Sequence, residues 1–425
     1  MWNPISTEMP RFWPPRANGF WRVALSPLRR YYLRRFYGIL DITIHGGEHL
    51  RNIPAGDGVL IAPNHSHDSD PHVMIEVGRR MGRQFYFMAA WQIFKMHWGI
   101  DGFVMQRMGA FSVDREGCDR RAVRQAVELL ATGRPLVVFP EGEVYRLNGR
   151  LTPLLEGVAF MALTAQREIG KREGQEVQRK SYQSPVASLQ QMPLETGDRR
   201  LVTPRRVWVL PTAIKYQYAD DVLPALEAAM GKLEAHLLLK QQTDAPLPQR
   251  IMRLGDVLLT IKEKEKLGHS REGELQPRIH DLIEHLLSKQ ETAHLKKCPS
   301  AETVPLRVKA VRRRMLEIYT DEKAPAEARK EAQDALDDVQ LALQLYCYPG
   351  DYVLEQPSIE RMAETIEKFE EDVEGFTPTP KGKRRAQVTF GEPIDLQRFA
   401  TSRHGAAEQV TEELEKRIEQ LMRGS

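Results

Sequence analysis

The chain has 425 residues, 41% of them hydrophobic and 28% charged, with a formal net charge of +3. That length and apolar content exclude one small domain and fit one large domain with an insertion, or two to three domains. The near-balanced charge gives no general case for nucleic acid, and Cys118, Cys298 and Cys347, far apart and without a CxxC, argue against a disulfide framework or a cysteine zinc site.

Residues 1–40 carry no short apolar stretch with a cleavage site, and no apolar run reaches the roughly 18 residues of a membrane-spanning helix. From Met9 to Leu40 there is no acidic residue, but Arg11, Arg16, Arg22, Arg29, Arg30, Arg34 and Arg35 alternate with aromatic side chains such as Trp13, Phe20, Trp21, Tyr31 and Phe36. Three readings fit this segment: a helix packed on the protein's own core, a basic aromatic segment lying on a membrane surface, or a single-stranded nucleic-acid contact. The reading adopted is a peripheral protein on the cytoplasmic side of a membrane, with no nucleic-acid partner.

Val59–Pro63 (VLIAP) is a short apolar run and predicts a buried strand. A polar loop follows, then a helix from Pro71 to Arg80, with Asp70 as its cap and Pro71 at its first position. Gln84–Ala89 and Gly109–Val113 predict further strands. Asp119 caps a helix running to Ala131, whose apolar face is Val123, Ala126, Val127 and Leu130. Leu136–Phe139 predicts a strand, Leu154–Gln166 a helix and Val207–Lys215 a strand. Strand–helix alternation of this kind predicts an α/β fold, a layered sheet flanked by helices.

Two stretches interrupt the alternation. Residues 167–205 are polar and aperiodic and predict a loop. Residues 217–385 show amphipathic patterns at 222–240, 274–291, 303–320, 325–346 and 357–371, with almost no strand signal, and predict a large all-helical insertion. Gln387–Phe390 then resumes strand character, and a helix follows from about Gly405 to Met422. The expected organisation is therefore a surface segment at 1–40, a core at 41–216, the insertion at 217–385, and a returning strand and terminal helix at 386–425.

Chemistry concentrates in Asn64-His65-Ser66-His67-Asp68-Ser69-Asp70. A His and an Asp five apart do not face each other on a regular helix. They meet if His65 lies in the loop and Asp70 begins the helix. A carboxylate on one imidazole nitrogen fixes the tautomer, leaving the other nitrogen to accept a proton. This is the base and orienter of a triad without a protein nucleophile, so the nucleophile is a substrate hydroxyl. A helix cap beside an ordinary loop histidine is the structural alternative. A metal site is a third, because His65, His67, Asp68, Asp70 and His72 are crowded, but the HxHxDH spacing of two-metal hydrolases is broken.

Three further blocks follow in order: Gly109 to Arg115 (GAFSVDR), Val137 to Gly142 (VVFPEG) and Val209 to Ile214 (VLPTAI). With them the chain resembles the glycerolipid acyltransferase family, which includes the 1-acylglycerol-3-phosphate (lysophosphatidate) acyltransferases. That family's pattern is NHxxxxD, a Gly-to-Arg segment, FPEG and an apolar segment with a proline. The tail QVTFGEPI is similar to the family's last strand, and matching regions cover under half the chain. The resemblance implies that His65 is the general base and Asp70 its partner. It also implies that Arg115, in the segment opened by Gly109, binds an acceptor phosphate, and that Glu141 and Gly142 shape the acceptor pocket. The chain departs from the family after FPEG. Many members continue with Thr-Arg-Ser, whereas here Glu143, Val144, Tyr145 and Arg146 follow. Arg146 then stands as a substitute cation from a shifted position, opposed by the extra carboxylate of Glu143.

The expected activity is transfer of a fatty acyl group from acyl-CoA or acyl carrier protein to a lysophospholipid hydroxyl, lysophosphatidate first, in phospholipid biosynthesis. No metal and no cofactor beyond the thioester co-substrate are expected. A non-catalytic lipid-binding or scaffold protein and a metal-dependent hydrolase are the competing readings. No GxSxG, GxGxxG or GxxxxGK occurs.

Overall fold

The computed structural model describes residues 10–117, 119–182, 205–295, 302–399 and 405–424. Two short helices, α1 (Gly19–Ala24) and α2 (Ser26–Phe36), precede the strand β1 (Ile39–His45) and the helix α3 (Gly47–Arg51). The core continues through β2 (Gly58–Pro63), α4 (Asp70–Arg80), β3 (Tyr86–Ala90), a 3-10 segment at Trp91–Gly99, α5 (Ile100–Met108) and β4 (Ala110–Val113). Then come α6 (Arg120–Ala131), β5 (Leu136–Val137), α7 (Gly157–Tyr182) and β6 (Val207–Tyr218). Seven helices follow: α8 (Leu223–His236), α9 (Leu247–Leu267), α10 (Leu275–His294), α11 (Val304–Tyr319), α12 (Ala326–Tyr346), α13 (Tyr352–Glu355) and α14 (Ile359–Glu374). The core closes with β7 (Arg384–Phe390), β8 (Ile394–Asp395) and α15 (Ala406–Gly424).

Among the described residues the strands form one mixed sheet of eight, ordered β1-β7-β6-β2-β5-β3-β4, with β8 also on β6. β2 pairs parallel with β5 and β6, β6 runs antiparallel to β7, and β7 is parallel to β1. Period-two alternation sends the apolar run of β2 to both faces. Leu60 and Ala62 pack with Ala126 of α6, Ala162 of α7 and Leu414 of α15. Val59 and Ile61 pack with Leu33 of α2, Leu50 of α3 and Val73 and Val77 of α4. The result is the expected α/β fold, a sheet with helices on both faces. Pro211 sits within β6 where pairing changes from β8 to β7, so its missing N–H falls at a break in the ladder.

Several local expectations change. Ser69, not Asp70, is the N-terminal cap of α4, and Asp70 is its first residue; the carboxylate points away from the helix end to other donors. The polar stretch expected as a loop at 167–205 begins as helix, because α7 runs on to Tyr182. After Ile169, residues 170–173 are exposed or half-buried, and the sequence onward is polar, so the apolar periodicity that marks a helix is missing. The remainder, 183–204, lies outside the described residues, as do Cys118 and Cys298. β1 is an edge strand with only Ile39 and Ile42 buried, and its weak alternation gave no strand signal. α9 was also unforeseen, with Gly255 interrupting its apolar face and a charged KEKEK end.

The helical insertion leaves the core after β6 and returns at β7, the antiparallel neighbour of β6. It has two apolar centres, one from α10, α11 and α12 and one from α8, α9 and α14. Tyr145 and Leu147 of the core are buried in the first. The segment just after FPEG is therefore the seat of the insertion.

The N-terminal segment is packed in part on the protein's own core. Residues 11–18 strap across α5 and β4: Trp13 exchanges hydrogen bonds with Ser112 and stacks on Phe94 at 5.6 Å. Arg29 is buried against Glu76 at 2.9 Å, which pins α2 to α4 and removes this arginine from any surface role. Phe20, Val23, Leu28 and Phe36 are left exposed, as are Ile100 and Phe103 of α5, the latter edge-on to Trp21 of α1. Among the described residues no helix is long and apolar enough to cross a membrane.

Candidate active site

The loop between β2 and α4 is fixed before its histidine is placed. Asn64 accepts from the Ile214 amide at 2.6 Å and donates to the Ile214 carbonyl at 3.0 Å, imitating a strand partner for β6. His65 follows at the C-terminal edge of β2. Its Nδ1 lies 2.9 Å from Asp70 Oδ2, and its ring stacks on Phe139 with centroids 4.0 Å apart. The His65 side chain is 14% exposed and that of Asp70 is 0%. Among the described residues Nε2 of His65 has no protein partner.

Asp70 is saturated with donors. Oδ2 also accepts the His67 amide at 2.9 Å, and Oδ1 accepts the Tyr216 hydroxyl. Tyr216 in turn accepts from Ser69 Oγ at 2.9 Å. Burial, with Arg384 nearby, holds His67 in the neutral form, as expected of a ring nitrogen that accepts the Ser69 amide at 3.1 Å. Three donors on one buried carboxylate leave it a single orientation, and that orientation sets the tautomer of His65.

Glu141 is turned inward. One carboxylate oxygen accepts the His65 amide at 2.6 Å; the other accepts the Thr152 amide at 3.1 Å and the Thr152 hydroxyl. Burial pushes this carboxyl up to about 7, against the pull of the Thr152 and His65 hydrogen bonds. It is thus a brace between the FPEG loop and the backbone of His65. Gly142 has φ +79°, a backbone conformation that favours glycine.

Arg115 donates to the Gly142 carbonyl at 3.2 Å and pairs with Glu143 at 2.8 Å. It therefore stands beside the FPEG loop, as its sequence position suggested. Gly109 does not join it. It ends α5 with φ +99° at the start of β4, the end of the strand opposite Arg115, against the Phe85 carbonyl. Arg146 is also committed elsewhere. It bonds to Glu371 of α14, lies 3.4 Å from Asp68, and adopts the left-handed φ of +53°. The second guanidinium near Arg115 comes instead from the insertion. Arg312 of α11 lies 3.0 Å from Glu116 and 4.0 Å from Glu143.

Sequence reasoning missed Tyr216, Asn148, Phe139 and Arg312. Asn148 clamps Tyr216 through both backbone groups at 2.8 Å. Only Phe139 had a local signal, its place in FPEG. Among the described residues no group of three or more His, Cys, Asp or Glu is arranged to hold a metal.

The geometry can remove a proton from a group brought to Nε2 and return it, and the Arg115 guanidinium stands at the FPEG loop that braces His65. The family model described as Acyltransferase matches residues 41–178, which span β1 to α7 and include every group named above up to Thr152. No curated protein matches the chain.

Proposed function

We propose that this chain, which carries an acyltransferase-family domain over residues 41–178, moves a fatty acyl group from a thioester on coenzyme A or acyl carrier protein to a lysophospholipid hydroxyl. Lysophosphatidate is the first candidate acceptor, which would place the reaction in phospholipid biosynthesis. The observation that carries this reading is the His65–Asp70 pair at 2.9 Å, with Nε2 unengaged and no nucleophilic side chain joined to it.

The acceptor hydroxyl gives its proton to Nε2 of His65 as its oxygen attacks the thioester carbonyl. Asp70 balances the imidazolium that forms. The tetrahedral intermediate collapses by breaking the C–S bond, and His65 returns the proton to the departing thiolate. The brace from Glu141 to the His65 amide keeps the base still during both transfers.

The exposed apolar side chains of α1, α2 and α5, with Arg30, Arg34 and Arg35 exposed among them, support attachment to an anionic lipid surface. Tyr37, just past α2, touches His67 with ring centroids 5.5 Å apart, so the surface segment lies next to the catalytic loop. A scaffold would have no use for a buried, fully donated Asp70, and that favours the enzyme over the lipid-binding alternative.

The test is thiol release from acyl-CoA and from acyl carrier protein with lysophosphatidate, monoacylglycerol or an amine-bearing lysolipid. Lysophosphatidate should be preferred, and Arg115→Ala should raise its KM about tenfold or more. A preference for the neutral acceptor would remove the phosphate assignment; no acyl transfer to any acceptor would remove the whole reading.

A further inference from the structure

We infer that the helical insertion completes the acceptor headgroup site: Arg312 of α11 and Arg115 of the core together bind a phosphate monoester, and Glu143 fills that position when the acceptor is absent. The inference rests on the acyl-acceptor reading above only for which phosphate monoester is used.

The three side chains arrive from separate parts of the chain. Arg115 follows β4, Glu143 follows FPEG, and Arg312 lies in the middle of α11. The Glu143 carboxylate sits between the two guanidiniums, 2.8 Å from Arg115 and 4.0 Å from Arg312. That is the position of an anion held by two arginines, and a phosphate monoester offers more charge and more acceptor oxygens there. Glu143 and Arg115 are each about a third exposed, at 31% and 34%, so their ion pair opens cheaply and leaves Glu143 room to swing into water. Arg312 is more enclosed, at 15%, and its other contacts fix it: Glu116 at 3.0 Å and Gln340 of α12 at 3.4 Å.

The site also has a frame. Arg115 is held by the Gly142 carbonyl at 3.2 Å, one residue from the carboxylate that braces the His65 amide. Headgroup capture and the general base are therefore tied to the same four-residue loop. Tyr145 and Leu147, buried in the apolar centre of α10, α11 and α12, set the position of α11 against that loop. Glu143, the residue that departs from the usual continuation of FPEG, is in this arrangement the counter-ion of a two-arginine site.

Binding of glycerol 3-phosphate, a soluble phosphate monoester, to the full chain by calorimetry tests this without requiring turnover. Arg312→Gln should weaken binding about tenfold or more, with Arg312→Lys recovering part of the loss. Glu143→Gln should tighten it several-fold, because the resident counter-ion is gone. Melting temperatures of the three variants within a few degrees of wild type show that α11 has kept its place. Unchanged affinity in Arg312→Gln, no tightening in Glu143→Gln, or no binding by either wild type or Glu143→Gln overturns the inference. If the binding series behaves as stated but lysophosphatidate is not acylated, the headgroup site stands and the acceptor named under the proposed function falls.

Discussion

Replacing Asp70 with Asn should separate catalysis from folding. In the wild type the Asp70 carboxylate accepts from His65 Nδ1, the His67 amide and the Tyr216 hydroxyl. The His67 amide can only donate, so an asparagine will set its single oxygen at the Oδ2 position. There it still receives His67 and His65, and its amino group faces Tyr216, whose hydroxyl can turn toward Ser69 Oγ. The tautomer of His65 is kept, and only the charge is lost. Relief of a buried charge partly offsets the loss of charge-assisted bonds, so stability should move by no more than about 1–2 kcal/mol. The rate should move far more. An imidazolium forming about 4 Å, centre to centre, from a carboxylate gains about 4 kcal/mol at an effective dielectric of about 20. Losing that gain lowers kcat about a thousandfold. Steady-state thiol release with saturating acyl-CoA and lysophosphatidate should show this drop in kcat, with KM values within about threefold and a near-native thermal transition. A variant retaining more than about a tenth of wild-type kcat would refute the role of Asp70 as counter-charge.

Tyr216→Phe removes one donor to Asp70 and leaves the other two, so kcat should fall about tenfold to a hundredfold with little change in either KM; an unchanged kcat would mean that His65 and His67 alone orient the carboxylate. Glu141 ties stability to pH in a definite direction. Its folded-state pKa of about 7 exceeds its ordinary 4.5, so the folded protein holds a proton that the unfolded chain releases, and stability is lost as pH rises through that window. Measured by urea unfolding, the stability of wild type minus that of Glu141→Gln should fall on the order of 2–3 kcal/mol between pH 5 and pH 8; a flat or rising difference contradicts the buried carboxyl. On vesicles containing an anionic lipid, the combined Arg30→Gln, Arg34→Gln and Arg35→Gln variant should bind about a hundredfold more weakly, and added salt should weaken the wild type in the same sense; full co-sedimentation of the variant would move the lipid contact away from α2.

The His65–Asp70 pair was legible in the sequence because it is local. A buried apolar run, a polar loop and a helix-starting Asp-Pro lie within Val59–Pro71, and their order alone brings His65 to Asp70. Tyr216 and Asn148 were not legible, since they reach the site only through the neighbouring strand β6, and a tyrosine at the end of an apolar strand looks like any other core residue. Arg312 was hidden for the same reason, lying 196 residues from the Glu116 it contacts. Arg146 shows the opposite error. Nearness in sequence suggested a shared ligand, but a left-handed turn at that residue sends the side chain to α14 and Asp68. Gly109 likewise shares a short segment with Arg115, yet the four-residue β4 between them carries the two to opposite ends of a strand.

The insertion and the site are joined through one strand. β6 holds the His65 loop at Ile214 through Asn64, fixes Asp70 through the Tyr216 hydroxyl, and is clamped at the Tyr216 backbone by Asn148. The amide of Asn148 donates to Glu364 of α14, and the amide of Gly149 donates to Tyr352 of α13. Arg150 adds pairs to Asp351 and Glu355 at 2.9 and 2.8 Å. The segment from Glu143 to Arg150 thus both meets Arg115 beside the FPEG loop and anchors the helical insertion. A Thr-Arg-Ser continuation supplies no aromatic ring to bury where Tyr145 lies among α10, α11 and α12. Tyr145 of this chain's continuation is buried against the insertion, and the insertion in turn brings the Arg312 guanidinium to within 4.0 Å of Glu143.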